Sequence, residues 1–188
     1  MSKKVIGFFV GSLRRDSFTK AVAHAVAGQL PEDFEARLID ISDLPLYNQD
    51  LDDEGNPPAA WERFRAEVKP LDGFIFATPE YNRSVPAVLK NALDVGSRPY
   101  GQSVWDGKPG AIISVTPGSL GAFGANHHLR QSMTFLNVPL LQQPEMYISG
   151  AAELLDENGN VSNPDSLAFL KSFADAFAGW VHLITAGK

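Results

Sequence analysis

The stretch Val5-Ile6-Gly7-Phe8-Phe9-Val10-Gly11-Ser12-Leu13-Arg14-Arg15-Asp16-Ser17 carries the most informative chemistry of the chain. It opens as a near-continuous apolar run, the pattern of a strand buried on both faces of a parallel sheet. It breaks at Gly11, crosses a short polar turn and enters a helical segment at Ser17. A strand, a tight turn and a helix N-terminus form an anion site, because backbone N–H groups and the helix dipole point the same way. The side chains Ser12, Arg14, Ser17 and Thr19 add donors suited to a phosphate.

The type of phosphate follows by exclusion. The stretch lacks Gly-x-x-x-x-Gly-Lys-Ser/Thr, so it is not the loop of a nucleotide hydrolase, and it lacks Gly-x-Gly-x-x-Gly, the dinucleotide fingerprint. A single Gly followed by hydroxyls and an Arg suits a terminal monophosphate. The plain alternative is an ordinary strand-to-helix turn with Ser17 as N-cap.

A second loop, Thr78-Pro79-Glu80-Tyr81-Asn82-Arg83-Ser84-Val85-Pro86, also invites a ligand. Pro79 fixes φ and removes a donor, while Glu80, Tyr81 and Asn82 supply backbone N–H groups and an aromatic ring. Such a loop can line the edge of a flat heterocycle while Tyr81 covers a face. A flat ring with a terminal phosphate is the shape of flavin mononucleotide (FMN).

These loops need a frame, and the chain supplies one. Apolar runs at Val5–Val10, Leu71–Ala77 and Gly110–Val115 read as buried strands, and Phe34–Ile41 alternates as an edge strand with Phe34, Ala36 and Leu38 inward. Val138–Leu141 and Met146–Ile148 are short enough to share a fifth strand. Between them lie helical stripes at Phe18–Leu30, Pro58–Lys69, Ala87–Val95 and Ala125–Leu136, and from Pro164 a last helix carries Leu167, Leu170, Phe173, Phe177, Trp180 and Ile184. Alternating strands and helices predict a doubly wound α/β fold: a five-stranded parallel sheet, order 2-1-3-4-5, with helices on both faces. Its ligand site is expected beyond the carboxyl ends of the strands, at the switch point. Loops 11–17, 79–84 and 116–122 all leave that end.

Composition narrows the function classes. At 188 residues the chain is expected to form a single domain, 1–188. With 44% hydrophobic and 20% charged residues it reads as an ordinary globular chain. No uninterrupted apolar run reaches membrane length and no signal-peptide pattern opens the chain, so a cytoplasmic protein without a membrane partner is expected. The absence of cysteine removes disulfides, thiol redox chemistry and cysteine nucleophiles. A net charge of −6 without a basic stretch argues against nucleic acid.

At this point the chain resembles the NAD(P)H-dependent FMN reductase family, in particular its bacterial quinone- and chromate-reducing branch. Gly11-Ser12-Leu13-Arg14-x-x-Ser17 resembles the family's phosphate loop. Pro79-Glu80-Tyr81-Asn82-x-Ser84-x-Pro86-x-x-Leu89-Lys90-Asn91-Ala92-x-Asp94 resembles its flavin-edge signature, the most specific of the three. Thr116-Pro117-Gly118-x-x-Gly121-Ala122, followed by His128-Leu129-Arg130-Gln131, resembles its third loop and helix. The likeness covers Val5 to about Ile148 and weakens over the last helix.

The resemblance implies a flavodoxin-like fold with noncovalently bound FMN. Ser12, Arg14, Ser17 and Thr19 would hold the phosphate. Pro79, Glu80, Tyr81 and Asn82 would line the ring, largely through backbone, and Thr116 and Gly118 would close its other side. Thr19 stands where the family commonly has Asn, and Pro117 removes an N–H where a non-proline residue is usual. The implied reaction takes a hydride from NAD(P)H onto the flavin and passes it, in alternating turns, to a quinone-like acceptor, chromate or another small oxidised molecule. No catalytic side chain is expected, since the flavin carries the chemistry. A flavodoxin-like electron carrier without its own turnover is the alternative. A hydrolase on the same sheet would need a triad that the sequence does not assemble.

The resemblance also implies a homodimer, often a dimer of dimers. Leu46, Tyr47 and Leu51, in the acidic excursion Leu44–Pro58, and Tyr100 and Trp105, in a loop expected beside the flavin rim, are candidate interface anchors. They would otherwise roof the pocket of a single subunit. The carboxylates of that excursion lack EF-hand spacing and read as solvated loop charges. No metal is expected: His127 and His128 are adjacent, about 100° apart on a helix, and His24 and His182 lie on other helices.

Overall fold

The computed structural model describes residues 2–187. Five strands, β1 (Lys4–Val10), β2 (Phe34–Ile39), β3 (Gly73–Thr78), β4 (Gly110–Val115) and β5 (Met146–Ile148), form one sheet in the order β2-β1-β3-β4-β5. Every pairing is parallel. This is the flavodoxin-like doubly wound arrangement read from the sequence. The register aligns Val10 with Ala77 and Thr78 with Ser114, so the loops after β1, β3 and β4 leave the sheet at nearly the same level.

Period-two alternation within the apolar strands builds two cores. Ile6, Phe8 and Val10 of β1, with Ile75, Ala77 and Ile113, pack under α1 (Phe18–Ala27) and α7 (Pro164–Thr185). Phe9, Phe74, Phe76 and Ile112 pack on the other face under α3 (Ala59–Val68), α4 (Ala87–Gly96) and α5 (Phe123–Phe135). On that face Phe9 meets Phe64, Phe74, Phe76 and Trp105 at centroid separations of 5.2–6.2 Å. Each such pair contributes about 0.5–1.5 kcal/mol beyond area burial.

Four expectations are corrected. Ala36 and Leu38 do not face the core: the edge strand β2 buries only Phe34 and Ile39, on opposite faces, because the flanking helices do not reach over its centre. The fifth strand is Met146–Ile148 alone; Leu140 makes a single bridge to Gly110. Trp105 is no surface anchor. It is fully buried and donates its Nε1–H to the Leu93 carbonyl at 3.0 Å, next to the C-terminus of α4 and away from the carboxyl rim. Of the loop's two aromatics Tyr100 is the open one, at 90% exposure.

The acidic excursion is not merely solvated. It holds the short helix α2 (Gln49–Asp53), and Asp52 accepts two 2.7 Å hydrogen bonds from the Arg65 guanidinium. Tyr47 packs on Trp61, and buried Asn91 pins the segment through the Tyr47 N–H and the Leu44 and Pro45 carbonyls. Leu46 is left exposed.

The last helix, α7, spans 22 residues and is long and apolar enough to cross a membrane by length and composition. Its stripe of Leu170, Phe173, Phe177 and Val181 is instead buried against the sheet. A further short helix, α6 (Ala151–Leu154), precedes it.

Candidate functional site

Loop 11–17 forms a helix-terminal turn. Gly11 continues β1 by donating to the Ala77 carbonyl at 2.8 Å. A Cβ there would sit 3.2–3.3 Å from Leu89 and Pro79, so the absent side chain lets the first and second loops touch. Ser17 has extended φ and ψ, and its Oγ accepts the Lys20 N–H at 3.2 Å, the N-cap arrangement. Ser12 and Ser17 are buried in the turn, and Thr19 is buried in the first turn of α1.

Arg14 is exposed, with its guanidinium carbon 5.9 Å from the Phe18 ring centroid. It lines a cleft of about 360 Å³ together with Ser12, Lys20 and Asp40. The backbone N–H of Ser42 holds the Asp40 carboxyl below the ordinary range; the Ser42 hydroxyl helps, and burial opposes. Lys20 is a second cation of this cleft, marked in the sequence only by its helical position one residue after Thr19.

The second loop owes its shape to two left-handed residues. Asn82 and Arg83 have φ of 51° and 66°, and Tyr81 and Ser84 exchange backbone hydrogen bonds at 3.1 and 3.0 Å. Positive φ at both central positions is the geometry of a type I′ turn. Tyr81, at 45% exposure, stands open at the rim. Glu80 turns the other way: its Oε2 accepts the Ala125 N–H at 3.1 Å, at the start of α5. Ser84 Oγ lies 2.9 Å from His128 Nδ1, also on α5.

The third loop is fixed from beneath. Buried Ser114 donates to the Gly121 carbonyl at 2.7 Å and accepts from Asn126 Nδ2 at 3.1 Å. Gly121 has φ of 59°, and a Cβ would come within 2.7 Å of Tyr147. Thr116 Oγ1 accepts the Gly118 N–H at 3.1 Å, so that amide is already engaged; Gly118 itself is exposed and Thr116 half-buried. Beside the loop, Tyr147 donates to Glu145 at 2.8 Å and lies 3.1 Å from His127 Nε2. Burial first, then Glu145, pushes the Tyr147 phenol up.

All ten sequence-derived residues therefore lie on the three loops at the carboxyl ends of β1, β3 and β4 or, for Thr19, in the first turn of α1. The first two loops are in contact, and the second is tied to the helix that follows the third. The donor set fits FMN: buried hydroxyl residues in the turn and first residues of a helix for the phosphate, and an adjacent turn with an open aromatic for the ring. Among the described residues no group of three His, Cys, Asp or Glu side chains could hold a metal ion.

Comparison with known proteins identifies the family. The family profile described as NADPH-dependent FMN reductase matches residues 4–153. A quinone reductase of Pseudomonas putida is 52% identical over 178 residues, covering 95% of each chain. A 2-hydroxy-1,4-benzoquinone reductase of a Burkholderia species is 49% identical, over 94% of this chain and 95% of its own. Among solved structures, a flavoenzyme NAD(P)H:(acceptor) oxidoreductase of Paracoccus denitrificans superposes with a TM-score of 0.88 at 36% identity, covering 95% of this chain and 97% of its own.

Proposed function

The chain belongs to the NADPH-dependent FMN reductase family, and from that premise we propose that it is a quinone reductase that holds FMN noncovalently across its three rim loops. The observations that carry this reading are the burial of Ser12, Ser17 and Thr19 around the start of α1 and the close approach of Gly11 to Pro79, which leads the Tyr81 turn. Ser12, Ser17 and Thr19 hold the phosphate with the turn amides, and Arg14 swings from Phe18 to neutralise it. Pro79, Glu80, Tyr81 and Asn82 line the ring edge, with backbone N–H groups favouring negative charge there. Thr116 and Gly118 close the other side. Bound FMN supplies two-electron hydride chemistry between NAD(P)H and the acceptor.

Donor and acceptor share one open face, so they bind in turn. The acceptor is quinone-like, and chromate is a second candidate of the same site. NAD(P)H is drawn from the cytoplasm. Two measurements test the reading. The released cofactor should have the mass of FMN, and initial rates with NADPH and a benzoquinone should give parallel double-reciprocal lines. FAD, or no flavin after incubation with FMN, would defeat the binding assignment; intersecting lines would defeat the alternation.

The active form is a homodimer, in this reading, built on α4 and α5. A groove of about 730 Å³ runs between these helices, lined by Lys90, Asp94, Arg98, His128 and Phe135 among others. Phe135 is 90% exposed at one end. Both signs of charge lie in the one groove, which suits a two-fold partner bringing the same set. Light scattering should give twice 20.4 kDa, and Phe135→Asp should give the monomer.

A further inference from the structure

Helix α5 begins without a cap of its own. Its N-cap position is Ala122, in a left-handed conformation and with no side-chain acceptor for the first-turn amides. Orphan N–H groups at a helix start need an outside partner when they are not solvated. That partner comes from 45 residues away: Glu80 Oε2 accepts the Ala125 N–H at 3.1 Å. The carboxylate also sits where the positive end of the helix dipole favours a negative charge.

The approach is prepared by sequence on both sides. A Cβ at Gly124 would lie 2.9 Å from Glu80 Oε2 and 2.9 Å from the Arg83 carbonyl, so only glycine lets the second loop close onto α5. The Glu80 side chain is 12% exposed, against 75% for Arg83, whose guanidinium lies 3.4 Å from the other carboxylate oxygen. At the far end of the same turn, Ser84 and His128 make a second tie to α5. The left-handed pair Asn82 and Arg83 is thus held at both ends by one helix, and that helix is the continuation of the third loop.

We propose that Glu80 is a positioning residue: its carboxylate caps α5 and thereby sets the second and third rim loops at one fixed separation, the width of the flavin slot. The proposal rests on the FMN-binding reading above. It gives Glu80 a task its side chain performs facing away from the ligand, while its backbone faces the ring.

The test uses Glu80→Ala and Glu80→Gln, with the wild type as control. Hydrogen exchange of the apoprotein is read first and needs no flavin. Glu80→Ala should raise exchange in 80–84 and in the first turn of α5 together, leaving α1 unchanged. FMN titration of the apoprotein should then show binding weakened about tenfold or more, the size of a lost cap carried into affinity. Glu80→Gln keeps an oxygen acceptor in place and should retain affinity within about threefold of wild type. A purely stabilising cap would lower the melting temperature and leave the FMN affinity of the folded protein untouched. Wild-type affinity in Glu80→Ala, exchange changes confined to one loop, or a Gln variant as weak as the Ala variant would each overturn the proposal. Failure of the wild type itself to bind FMN would instead overturn the functional reading, and the exchange result would still stand.

Discussion

Arg65 grips Asp52 with both terminal nitrogens, each 2.7 Å from a carboxylate oxygen, in a pair whose side chains are only 13% and 5% exposed. The same guanidinium donates from Nε to the Val95 carbonyl and lies over the Trp61 ring. It therefore joins α2, α3 and the end of α4. Removing one partner of a buried pair leaves an uncompensated charge, at a cost of about 3–5 kcal/mol. Asp52→Ala should lower stability by about that amount in denaturant unfolding. The double variant Asp52→Leu with Arg65→Met should lose much less, because no lone charge remains. Equal losses in the two would show that the pair is solvated.

Arg14 and Arg15 are neighbours of the same type, but only Arg14 lines the cleft that Ser12 also lines. A hydrogen bond to a charged group is worth about 1.5–3 kcal/mol. Arg14→Ala should weaken FMN binding by about ten- to a hundredfold, and Arg15→Ala by much less. Fluorescence titration of the apoproteins decides it; equal effects would assign the phosphate to another arginine.

Gly96 presses against the indole of Trp105, where a Cβ would lie 2.6 Å from two ring carbons. Both residues are buried, so nothing can move into solvent. Gly96→Ala should cost about 1–3 kcal/mol by overpacking, a fall in Tm of about 2–4 °C for each kcal/mol in a chain of this size. Trp105 emission should shift with it. An unchanged Tm would mean that the aromatic cluster yields more readily than its contacts imply.

Two phenols respond to alkali. Burial first and the Asp52 carboxylate next push Tyr47 above its ordinary 10.0; burial and then Glu145 do the same to Tyr147. In both, the folded state keeps its proton to higher pH than the unfolded state. Their contribution is therefore fully present below about pH 10 and is lost as pH rises through the folded values. The urea midpoint should fall above pH 10, and less steeply in Tyr147→Phe. Absorbance at 295 nm should show part of the tyrosinate signal developing late, with that late part reduced in the variant. An unaltered slope and unaltered late absorbance would remove Tyr147 from the account.

The sheet was legible because its central strands are apolar on both faces, a local pattern that survives in Phe8-Phe9-Val10 and Phe74-Ile75-Phe76. The rim loops were legible because their chemistry is local too: hydroxyls after a glycine, a proline-led turn. Residues whose setting depends on a distant partner were not. Trp105 looked like a loop aromatic and is core, because Gly96 opens a slot for it. Asp52 looked like one carboxylate among several and is singled out only by Arg65. Glu80 belonged to a recognisable motif, yet nothing in the motif says that its side chain reaches Ala125. For Ala36 and Leu38, alternation pointed to one inward face, whereas β2 buries only its two ends, Phe34 and Ile39, on opposite faces.

The two margins of the sheet have a consequence for how copies of this chain can meet. At one margin β5 offers three residues, too short a template for a sixth strand. At the other, β2 carries the exposed ion pair of Glu35 and Arg37 along its centre. Short or charged margins resist the addition of a foreign strand. Backbone-to-backbone stacking, the route to fibres, is thereby discouraged at both ends, and association is steered toward contacts between helices. A concentrated solution of this protein should give discrete assemblies with no rise in thioflavin fluorescence.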